Sequence, residues 1–399
     1  VCLFILFNKF FEMKKKIVIL GSTGSIGKTV INIIESDKKN FEIKLLTANK
    51  NYKKLLYQAK KFRVKNLIIT DNKSFIIANK VNKNPKIKIY NNFNVLNKIF
   101  KKKVDYTISS ITGVEGLIPT FKIIKHSKII AIANKEAIIC GWDLINKELK
   151  KRKTEFIPVD SEHFSTWYGL KNNNDIIDKI FLTASGGPFK NLPIKKFNNI
   201  NVKQALKHPN WKMGKKISID SATMMNKVFE IIEARNIFDL SYKKLSILVH
   251  PDSYLHSIIK FKNGLIKLIA HETDMKIPIL NSIYQKNNKF IFQDSQINLK
   301  KLNKLELSFI NKQKFPLVKI LNHLSDRNSL FETVIVSAND ELVKMFLNKK
   351  IKFLQIAKKL ILFIKRPEFK KYKLISPKNI EEIVELNKYV RLKINSKSI

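Results

Sequence analysis

The sequence predicts an α/β protein that begins with an open, mostly parallel sheet and ends in helices. Short apolar runs alternate with helical patterns up to about residue 150, as in a parallel sheet with crossover helices. Strand-like and helical segments are then mixed less regularly as far as about residue 285. Beyond about residue 286 no glycine occurs, and amphipathic helical patterns fill the remaining chain.

The first part of the chain contains five runs that we interpret as buried parallel strands. Each is rich in Ile, Val and Leu, as expected for strands that are covered on both faces. The strands are predicted at 16–20, 41–48, 66–70, 104–109 and 129–133. Helical patterns lie between them, including 52–62 and 114–125. We exclude residues 1–12, an apolar stretch without the features of a signal peptide, because Met13 is our predicted start.

A glycine-rich turn joins the first strand to the first helical pattern. The turn, GSTGSIG at 21–27, spaces its glycines so that a pyrophosphate can approach the N-terminus of a helix. It therefore predicts a Rossmann-type dinucleotide site.

The second strand ends in Asn49, Lys50 and Asn51. NAD sites usually carry an acid at this point, so its absence favours NADP. For Lys50 alone, a solvated lysine in a lysine-rich chain is the alternative.

Two carboxylates follow a break around 150–154 that we interpret as a domain boundary. Asp160 and Glu162 lie in PVDSEH, which we interpret as extended, so that both point to one side. Such carboxylates repel each other unless a cation lies between them, and oxygen ligands suit Mg²⁺ or Mn²⁺ better than Zn²⁺. A solvated acidic strand end is the alternative.

Another predicted strand, later in the chain, runs into a glycine turn. This strand begins at 181 and continues into Ser185, Gly186 and Gly187. Exposed backbone N–H groups in such a turn, together with the Ser185 hydroxyl, can hold an anion. An ordinary turn is the alternative.

A helix predicted at 224–234 offers further candidate residues for the metal site and the anion site. Residues 220–223 offer its N-cap. Asn226, Lys227 and Glu230 lie on or near one face because they are three or four residues apart. Ser221, Asn226 and Lys227 are therefore candidate phosphate contacts, and Glu230 a candidate metal ligand. A surface pair between Lys227 and Glu230 is the alternative.

The stretch HPNWKMG at 208–214 combines helix breakers with a large aromatic residue. Such a loop suits a mobile lid that excludes water from a site. A loop that Trp211 simply anchors to the core is an equal alternative. His250 and His256 fit satisfied core histidines better than ligands.

The last part of the chain predicts a small helical bundle. The helical patterns cover 317–324, 331–347, 353–364 and 380–392, and the last has Ser376 and Pro377 as its expected start. The complete prediction is a Rossmann-type NADP-binding domain (13–155), a central α+β catalytic domain with the lid (156–285), a linker (286–312) and a C-terminal helical domain (313–399).

The composition sets limits on partners. The net charge is +44, from 76 basic and 32 acidic residues, which raises the alternative of a nucleic-acid-binding protein. The lysines are spread along the chain, and only six arginines occur. A bacterial genome rich in A and T explains the excess of Lys, Asn and Ile more simply. No apolar run is long enough to span a membrane, and two cysteines fit a reducing, cytoplasmic compartment.

Seven motifs, taken together, resemble those of the 1-deoxy-D-xylulose 5-phosphate reductoisomerases. They are GSTGSIG (21–27), ANKE (133–136), PVDSEH (158–163), SGGPF (185–189), HPNWKMG (208–214), DSATMMNK (220–227) and EARNIF (233–238). The resemblance extends from about Met13 to the end of the chain. It implies a cytoplasmic homodimer that rearranges 1-deoxy-D-xylulose 5-phosphate and reduces the product with NADPH, using Mn²⁺ or Mg²⁺, with Co²⁺ as a further candidate.

The resemblance also implies roles for individual residues. The implied catalytic residues are Lys135, Glu162 and His208. The implied metal ligands are Asp160, Glu162 and Glu230. The implied substrate contacts are Lys135, Ser161, Glu162, Ser185, His208, Trp211, Ser221, Asn226, Lys227 and Glu230, with Met213 beside the lid residues. The implied NADPH contacts are Thr23, Gly24, Ser25, Ile26, Asn49, Lys50, Asn51, Asn134, Glu136 and Gly214.

Three positions depart from the family pattern. Asn49 replaces a usual glycine near the adenosine 2′-phosphate, and since Asn tolerates positive φ we expect a tuned contact there. Ala184 and Lys212 replace glycine or smaller polar residues.

Another NADP-dependent oxidoreductase, such as a semialdehyde dehydrogenase, is the alternative enzyme. Cys140, which would have to be its nucleophile, lacks the expected strand-turn context.

Overall fold

The computed structural model describes residues 14–211, 213–285 and 296–396. The predicted start at Met13, the departure at Lys212 and most of the first half of the predicted linker lie outside these residues. Within them, no helix combines the length and the apolar character that crossing a membrane requires.

The first sheet has seven parallel strands in the order β4-β3-β2-β1-β5-β6-β7. Its inner strands are buried because helices cover both faces, which explains their continuous apolar runs. The strands are β1 (Lys15–Leu20), β2 (Phe41–Ala48), β3 (Asn66–Ile69), β4 (Lys88–Tyr90), β5 (Val104–Ser109), β6 (Ser127–Ile132) and β7 (Glu155–Pro158).

Six helices accompany this sheet, and polar residues at the carboxyl ends of strands cap three of them. The side chains of Asn51, Asp71 and Asn134 accept hydrogen bonds from backbone N–H groups in the first turns of α2, α3 and α6. The helices are α1 (Ser25–Ser36), α2 (Tyr52–Phe62), α3 (Asn72–Val81), α4 (Leu96–Ile99), α5 (Leu117–Ile124) and α6 (Lys135–Arg152).

The second sheet is mixed and has the order β11-β10-β8-β9-β12. β8 and β9 are parallel, and the other pairs are antiparallel. The strands are β8 (Ile177–Ala184), β9 (Leu245–Val249), β10 (Leu255–Phe261), β11 (Ile266–Ala270) and β12 (Ser308–Phe309), and the helices of this part are α7 (Ser161–Leu170), α8 (Val202–Ala205), α9 (Lys215–Ala222), α10 (Met225–Phe238) and α11 (Lys276–Tyr284).

The helical end of the chain packs around α13, which is buried along most of its length. Ser329 and Glu332 form a reciprocal capping box at its start. The elements are α12 (Leu299–Leu302), the 3₁₀ segment Pro316–His323, α13 (Leu330–Leu347), α14 (Phe353–Lys365), α15 (Pro367–Lys370) and α16 (Ile380–Asn395).

The fold class predicted from the sequence is confirmed, but three local predictions are wrong. The segment with Asp160 and Glu162 is not a strand, because β7 ends at Pro158 and Glu162 lies in the first turn of α7. Acids are favoured at helix starts, so the same letters fit a helix. The predicted start of the last helix at 376–377 is also wrong, since Asn379 caps α16.

The third wrong prediction concerns the N-cap at 220–223. Most of these residues lie in the last turn of α9, and α10 begins only after Met224. Met224 has a φ of 64° and reverses the chain between the two helices. A left-handed non-glycine residue is rare, so no local sequence signal marks this break.

The close packing at Gly27 generates a stability prediction. A Cβ here would overlap the Gly21 carbonyl oxygen and lie 2.6 Å from Ser22 Cα. These are backbone atoms of a tight turn, so Gly27→Ala should lower the free energy of unfolding by about 1–3 kcal/mol. Urea denaturation measures this change.

Gly214→Ala is the matched control, because among the described residues no atom beyond its two chain neighbours lies within 4 Å of a Cβ at that position. Its effect should stay below about 1 kcal/mol, the scale of an N-cap change. Equal losses in the two variants would contradict a steric role for Gly27.

Candidate active site

A cavity of about 480 Å³ lies between the carboxyl edge of the first sheet and the second sheet. Polar residues that are far apart in the sequence meet around it. The predicted residues that line it are Ser25, Ile26, Asn134, Lys135, Glu136, Asp160, Ser161, Glu162, Ser185, His208, Trp211, Met213, Gly214, Ser221, Asn226, Lys227 and Glu230. Five predicted residues do not line it, namely Thr23, Gly24, Asn49, Lys50 and Asn51, which lie in the turns after β1 and β2.

Three carboxylates face each other in this cavity. Asp160, Glu162 and Glu230 each offer one oxygen, and these oxygens all lie within 4.8 Å of one another. Asp160 and Glu162 come from the start of α7, and Glu230 comes from the middle of α10. Oxygen donors at this spacing fit a hard divalent cation.

Two lysine ammonium groups lie among these carboxylates. Lys227 Nζ is 2.7 Å from Glu162 Oε1 and also contacts Glu230. Lys135 Nζ is 3.0 Å from Asp160 Oδ2 and 3.6 Å from Glu230 Oε1. Lys135 also donates a hydrogen bond of 2.7 Å to Asn226 Oδ1. Both lysines are buried, and these ion pairs compensate the loss of water.

The crowding shifts the pKa values of the carboxyl groups in opposite directions. Burial, together with the neighbouring Glu162 carboxylate, raises the pKa of Glu230 to about 8. Burial also acts to raise the pKa of Glu162, but the Lys227 ammonium outweighs it and the pKa lies below its usual value. Burial opposes the charge of Lys135, yet Asp160 and Glu230 raise its pKa. The site therefore holds more negative charge than it can easily keep ionised without a further cation.

Two buried groups beside this cluster were missed in the sequence. His163 Nδ1 lies 4.0 Å from Glu233 Oε2, and neither atom has a hydrogen-bond partner among the described residues. Glu233 Oε2 is also 3.9 Å from Lys135 Nζ. The available signals were adjacency and periodicity, because His163 follows Glu162 and Glu233 follows Glu230 by three residues on α10.

The turn at 185–187 forms the other end of the cavity. Gly186 and Gly187 have φ values of 85° and 65°, and a Cβ at Gly187 would lie 2.8 Å from the Ser221 carbonyl oxygen. The Ser185 hydroxyl oxygen accepts a hydrogen bond of 3.1 Å from the Gly187 N–H. Glycine is thus required for the turn to approach α9, where Ser221 lies.

The loop predicted as a lid is held by its own histidine. His208 Nδ1 accepts hydrogen bonds from the backbone N–H groups of Asn210 (3.2 Å) and Trp211 (3.0 Å). Nδ1 therefore carries no proton, and the neutral ring has its proton on Nε2, which donates to Ser185 Oγ at 3.1 Å. The Ser185 hydroxyl accepts two bonds, so its own proton is available to an anion in the pocket.

Asn210 and Trp211 fasten this loop to the second sheet. The Asn210 amide donates to the Pro251 carbonyl (2.6 Å) and to Ser253 Oγ (2.8 Å). The Trp211 ring lies edge-on at 6.3 Å from the ring of His256. His256 is buried and stacks on a second histidine, His271, as a core histidine would.

The glycine turn after β1 leaves the start of α1 open at the carboxyl edge of the sheet. Gly21 has a φ of 83°, and its N–H donates to Thr47 Oγ1 at 2.8 Å. α1 begins at Ser25 without a side-chain cap, so its first N–H groups are free to bind an anion.

Family models match nearly the whole chain. The model for 1-deoxy-D-xylulose 5-phosphate reductoisomerase matches 17–141, that for the C-terminal domain of this enzyme matches 156–238, and that for the DXP reductoisomerase C-terminal domain matches 271–393. A relative from Pelagibacter ubique with this enzyme name is 61% identical over 388 residues, which cover 96% of this chain and 100% of the relative. The chain belongs to this family.

Other relatives and solved structures agree. The reductoisomerase from Clostridium tetani is 37% identical over 96% of this chain and 100% of its own. The solved reductoisomerase from Zymomonas mobilis in complex with NADPH has a TM-score of 0.84 and 29% identity, covering 97% of this chain and 100% of that one. A DOX-P reductoisomerase in complex with NADPH, fosmidomycin and magnesium has a TM-score of 0.87 and 30% identity, covering 96% and 98%.

The conformational reason offered for Asn49, a departure from the reductoisomerase pattern, is wrong, whereas the tuned contact expected there stays a prediction. Asn49 does not have a positive φ, so its tolerance of that conformation is not why it is accepted here. Its side-chain amide instead donates to Thr70 Oγ1 at 2.8 Å, which links the ends of β2 and β3. Ala184, the other departure within the described residues, is buried at the end of β8.

The hydrogen bonds of His208 predict a pH dependence of stability. Burial lowers the pKa of His208 to about 4, whereas an unfolded histidine titrates near pH ~6.5. As pH falls through this window the unfolded chain binds the proton first, so the stability that neutral His208 contributes is lost. The difference in unfolding free energy between the wild type and His208→Gln should therefore shrink from pH 7 to pH 4.5.

Urea denaturation of both proteins across this range provides the measurement. Glutamine keeps an acceptor for the loop N–H groups but does not titrate, so it isolates the protonation of the imidazole. A difference that stays constant over the whole range would contradict the neutral, hydrogen-bonded state of His208.

Proposed function

We propose that this chain converts 1-deoxy-D-xylulose 5-phosphate to 2-C-methyl-D-erythritol 4-phosphate, a step of the non-mevalonate route to isoprenoids. It does so by a rearrangement of the carbon skeleton followed by reduction with NADPH. The observation that carries the proposal is the cluster of Asp160, Glu162 and Glu230 between an anion pocket and a dinucleotide-binding turn.

NADPH binds along the carboxyl edge of the first sheet and supplies the hydride. Thr23, Gly24, Ser25 and Ile26 would hold its pyrophosphate at the start of α1. The Gly24 N–H already donates to the Gly21 carbonyl oxygen at 3.0 Å, so the N–H groups of Ser25 and Ile26 in the first turn of α1 are the expected donors. Asn49, Lys50 and Asn51 follow β2 without an acid and receive the 2′-phosphate. The remaining contacts, Asn134, Glu136 and Gly214, bring the nicotinamide end toward the cavity.

Asp160, Glu162 and Glu230 bind Mg²⁺ or Mn²⁺, with Co²⁺ as a further candidate. The fit rests on three oxygen donors within 4.8 Å of one another, of which Asp160 and Glu162 are partly buried and Glu230 is buried. Burial, together with the neighbouring Glu162 carboxylate, raises the pKa of Glu230. A divalent cation held by these residues would supply Lewis-acid polarisation of substrate oxygens.

The phosphate of the substrate is held by Ser185, Ser221, Asn226 and Lys227. The Ser185 hydroxyl can donate because it already accepts bonds from Gly187 and from the ring of His208. A fixed phosphate orients the reacting end toward Lys135, Ser161 and Glu162.

Lys135 and Glu162 act at the reacting end of the substrate. The raised pKa of Lys135 keeps its ammonium protonated, so it stabilises negative charge that develops on a substrate oxygen. The lowered pKa of Glu162 keeps its carboxylate ionised. His208 and Trp211, with Met213 beside them, cover the cavity and exclude water.

The semialdehyde dehydrogenase alternative is not favoured. Its nucleophile would be Cys140, which lies inside α6 and is buried. Burial raises the pKa of this thiol, so the reactive thiolate does not form near neutral pH. Hydride transfer alone would also leave the three carboxylates without a role.

We also propose how the chain is divided. Residues 13–155 form the NADPH-binding domain, and residues 156–285 form the catalytic domain that holds the metal and the substrate. Residues 286–312 act as a linker, and residues 313–399 form the C-terminal helical domain. The enzyme acts in the cytoplasm, where Cys140 stays reduced, and its specific partners are small molecules rather than nucleic acid or membrane.

The first test is the loss of NADPH absorbance with 1-deoxy-D-xylulose 5-phosphate in Mg²⁺ or Mn²⁺, repeated with EDTA. Oxidation should require both substrate and metal. Glu230→Gln should lower kcat roughly a thousandfold, because it removes one charge from the metal site, and should leave the Kd for NADPH near the wild-type value.

Glu148→Gln is the control, because it removes the same charge from a partly exposed ion pair with Arg152 that does not line the cavity. It should retain wild-type kcat. Normal turnover of Glu230→Gln, or turnover that survives EDTA, would refute the metal assignment.

A homodimer is the proposed assembly, and β11 is its candidate interface. Within the described chain β11 pairs only with β10, so its other edge is open. Leu265, Ile266 and Leu268 expose 62%, 57% and 52% of their surface there. An open edge strand with exposed apolar side chains favours pairing with another chain.

Leu268→Lys should weaken this dimer, since it places a charge in the proposed interface. The dissociation constant should rise about tenfold or more, as measured by light scattering after size exclusion over a dilution series. Leu374→Lys is the control, because Leu374 is 93% exposed on the helical end of the chain. Equal behaviour of the two variants would exclude β11 as the interface.

A further inference from the structure

Lys216 holds together three parts of the fold. It lies in the first turn of α9, two residues after Gly214. Its Nζ donates a hydrogen bond of 2.8 Å to Glu136 Oε1 in α6 and lies 3.1 Å from Asp220 Oδ2 in α9. It is also 3.0 Å from Asp340 Oδ1 in α13. A single ammonium group therefore links the first sheet's last helix, the helix after the lid and the C-terminal helices.

The three carboxylates depend on this lysine. Their side chains are 7%, 1% and 9% accessible for Glu136, Asp220 and Asp340. Asp220 Oδ2 and Asp340 Oδ1 have no hydrogen-bond donor among the described residues. The Lys216 charge is therefore the compensation that these two buried oxygens receive, and its loss would leave them unpaired.

Lys216 is not itself suited to bind a phosphate. A lysine ammonium has three N–H groups, and three carboxylate oxygens surround this one at ion-pair distance. Although the side chain lines the cavity, its charge is already neutralised. Its effect on the site must pass through the groups it holds.

The network continues into the C-terminal helices. The Asn339 amide donates to Asp220 Oδ1 at 2.8 Å. Arg391 in α16 donates to Asp340 Oδ2 at 2.9 Å. These two hydrogen bonds and the three ion pairs of Lys216 join side chains from four helices, so the relative position of those helices is restricted. The C-terminal helices are thereby fixed against α9 and the first turn of α6.

We propose that Lys216 is a positioning residue for the cofactor, a role that rests on the function proposed above. It joins Glu136 to the chain segment that begins at Gly214, and both belong to the proposed NADPH contacts. By fixing α6 against α9, Lys216 sets the width of the cavity at its proposed nicotinamide end. Because Lys216 is also paired with Asp340 in α13, this width depends on the position of the C-terminal helices as well.

Lys216→Met tests the role, because it keeps the length of the side chain and removes the charge. The Kd for NADPH, measured by calorimetry, and its KM should rise about tenfold, the scale of one lost buried pair. At saturating NADPH, kcat should fall less than about threefold. Lys216→Arg should restore most of the affinity, since it keeps the charge and the donors.

Lys393→Met is the matched control on α16, where Lys393 forms a largely exposed ion pair with Glu368 at 3.3 Å. It should leave both the Kd and the kcat unchanged. Asp340→Asn, which does not alter any residue of the cavity lining, should also raise the Kd. The variant that combines Lys216→Met and Asp340→Asn should bind NADPH no more weakly than Lys216→Met alone, because both substitutions remove the same ion pair.

A Lys216→Met protein that melts earlier but binds NADPH with the wild-type Kd would overturn the proposal. If that variant does not fold, Asp340→Asn decides, and an unchanged Kd overturns it as well. NADPH binding without turnover in the wild type would refute the proposed reaction alone. A wild-type chain that does not bind NADPH would refute both.

Discussion

The crowding of buried carboxylates around Lys135 and Lys227 is the constraint on which the rest of the structure depends. Asp160, Glu162 and Glu230 come from two helices and approach within 4.8 Å, an arrangement that costs free energy unless positive charge is present. The lysines supply part of that charge, but burial together with the neighbouring Glu162 carboxylate still raises the pKa of Glu230. A protein that maintains such a cluster in a cavity is built to receive a cation together with an anionic ligand.

Maintaining the cluster requires a helix that is buried on all sides, and α10 has this position. It packs against α6, α9 and β9, so Lys227, Glu230 and the missed Glu233 are all buried on it. A helix that is surrounded by protein shows little amphipathic periodicity. Its polar residues therefore resembled a surface pattern in the sequence, although they face the site. The left-handed Met224 before it lets α9 and α10 meet at the angle that brings Ser221 near Asn226 and Lys227.

The sequence predicted the first sheet best, because buried parallel strands and capped helices have local signals. The bounds of β2, β5 and α2 were predicted without error, and the family and fold class are confirmed. Helix ends near the site were predicted poorly, since an acid beside a serine fits a strand end, an N-cap or a helix turn equally well. His163 and Glu233 had only the weak signals of adjacency and periodicity, and Lys216 had no such signal, because the partners of all three come from distant elements. The roles of the individual site residues and the domain bounds stay predictions.

The unusual charge of the chain also fits this arrangement. A net charge of +44 repels the chain from itself. Several of the few acids nevertheless lie at or beside the cavity, buried at Glu136, Asp220, Glu230 and Glu233 and partly buried at Asp160, Glu162 and Asp340. The long-range positive field attracts any anion, including NADPH and a phosphosugar, without selecting between them. Selection between anionic ligands begins only in the cavity. There the acids repel an anion unless it binds together with a cation. The specificity of the chemistry therefore depends on the acids of the cavity and not on the lysine-rich surface.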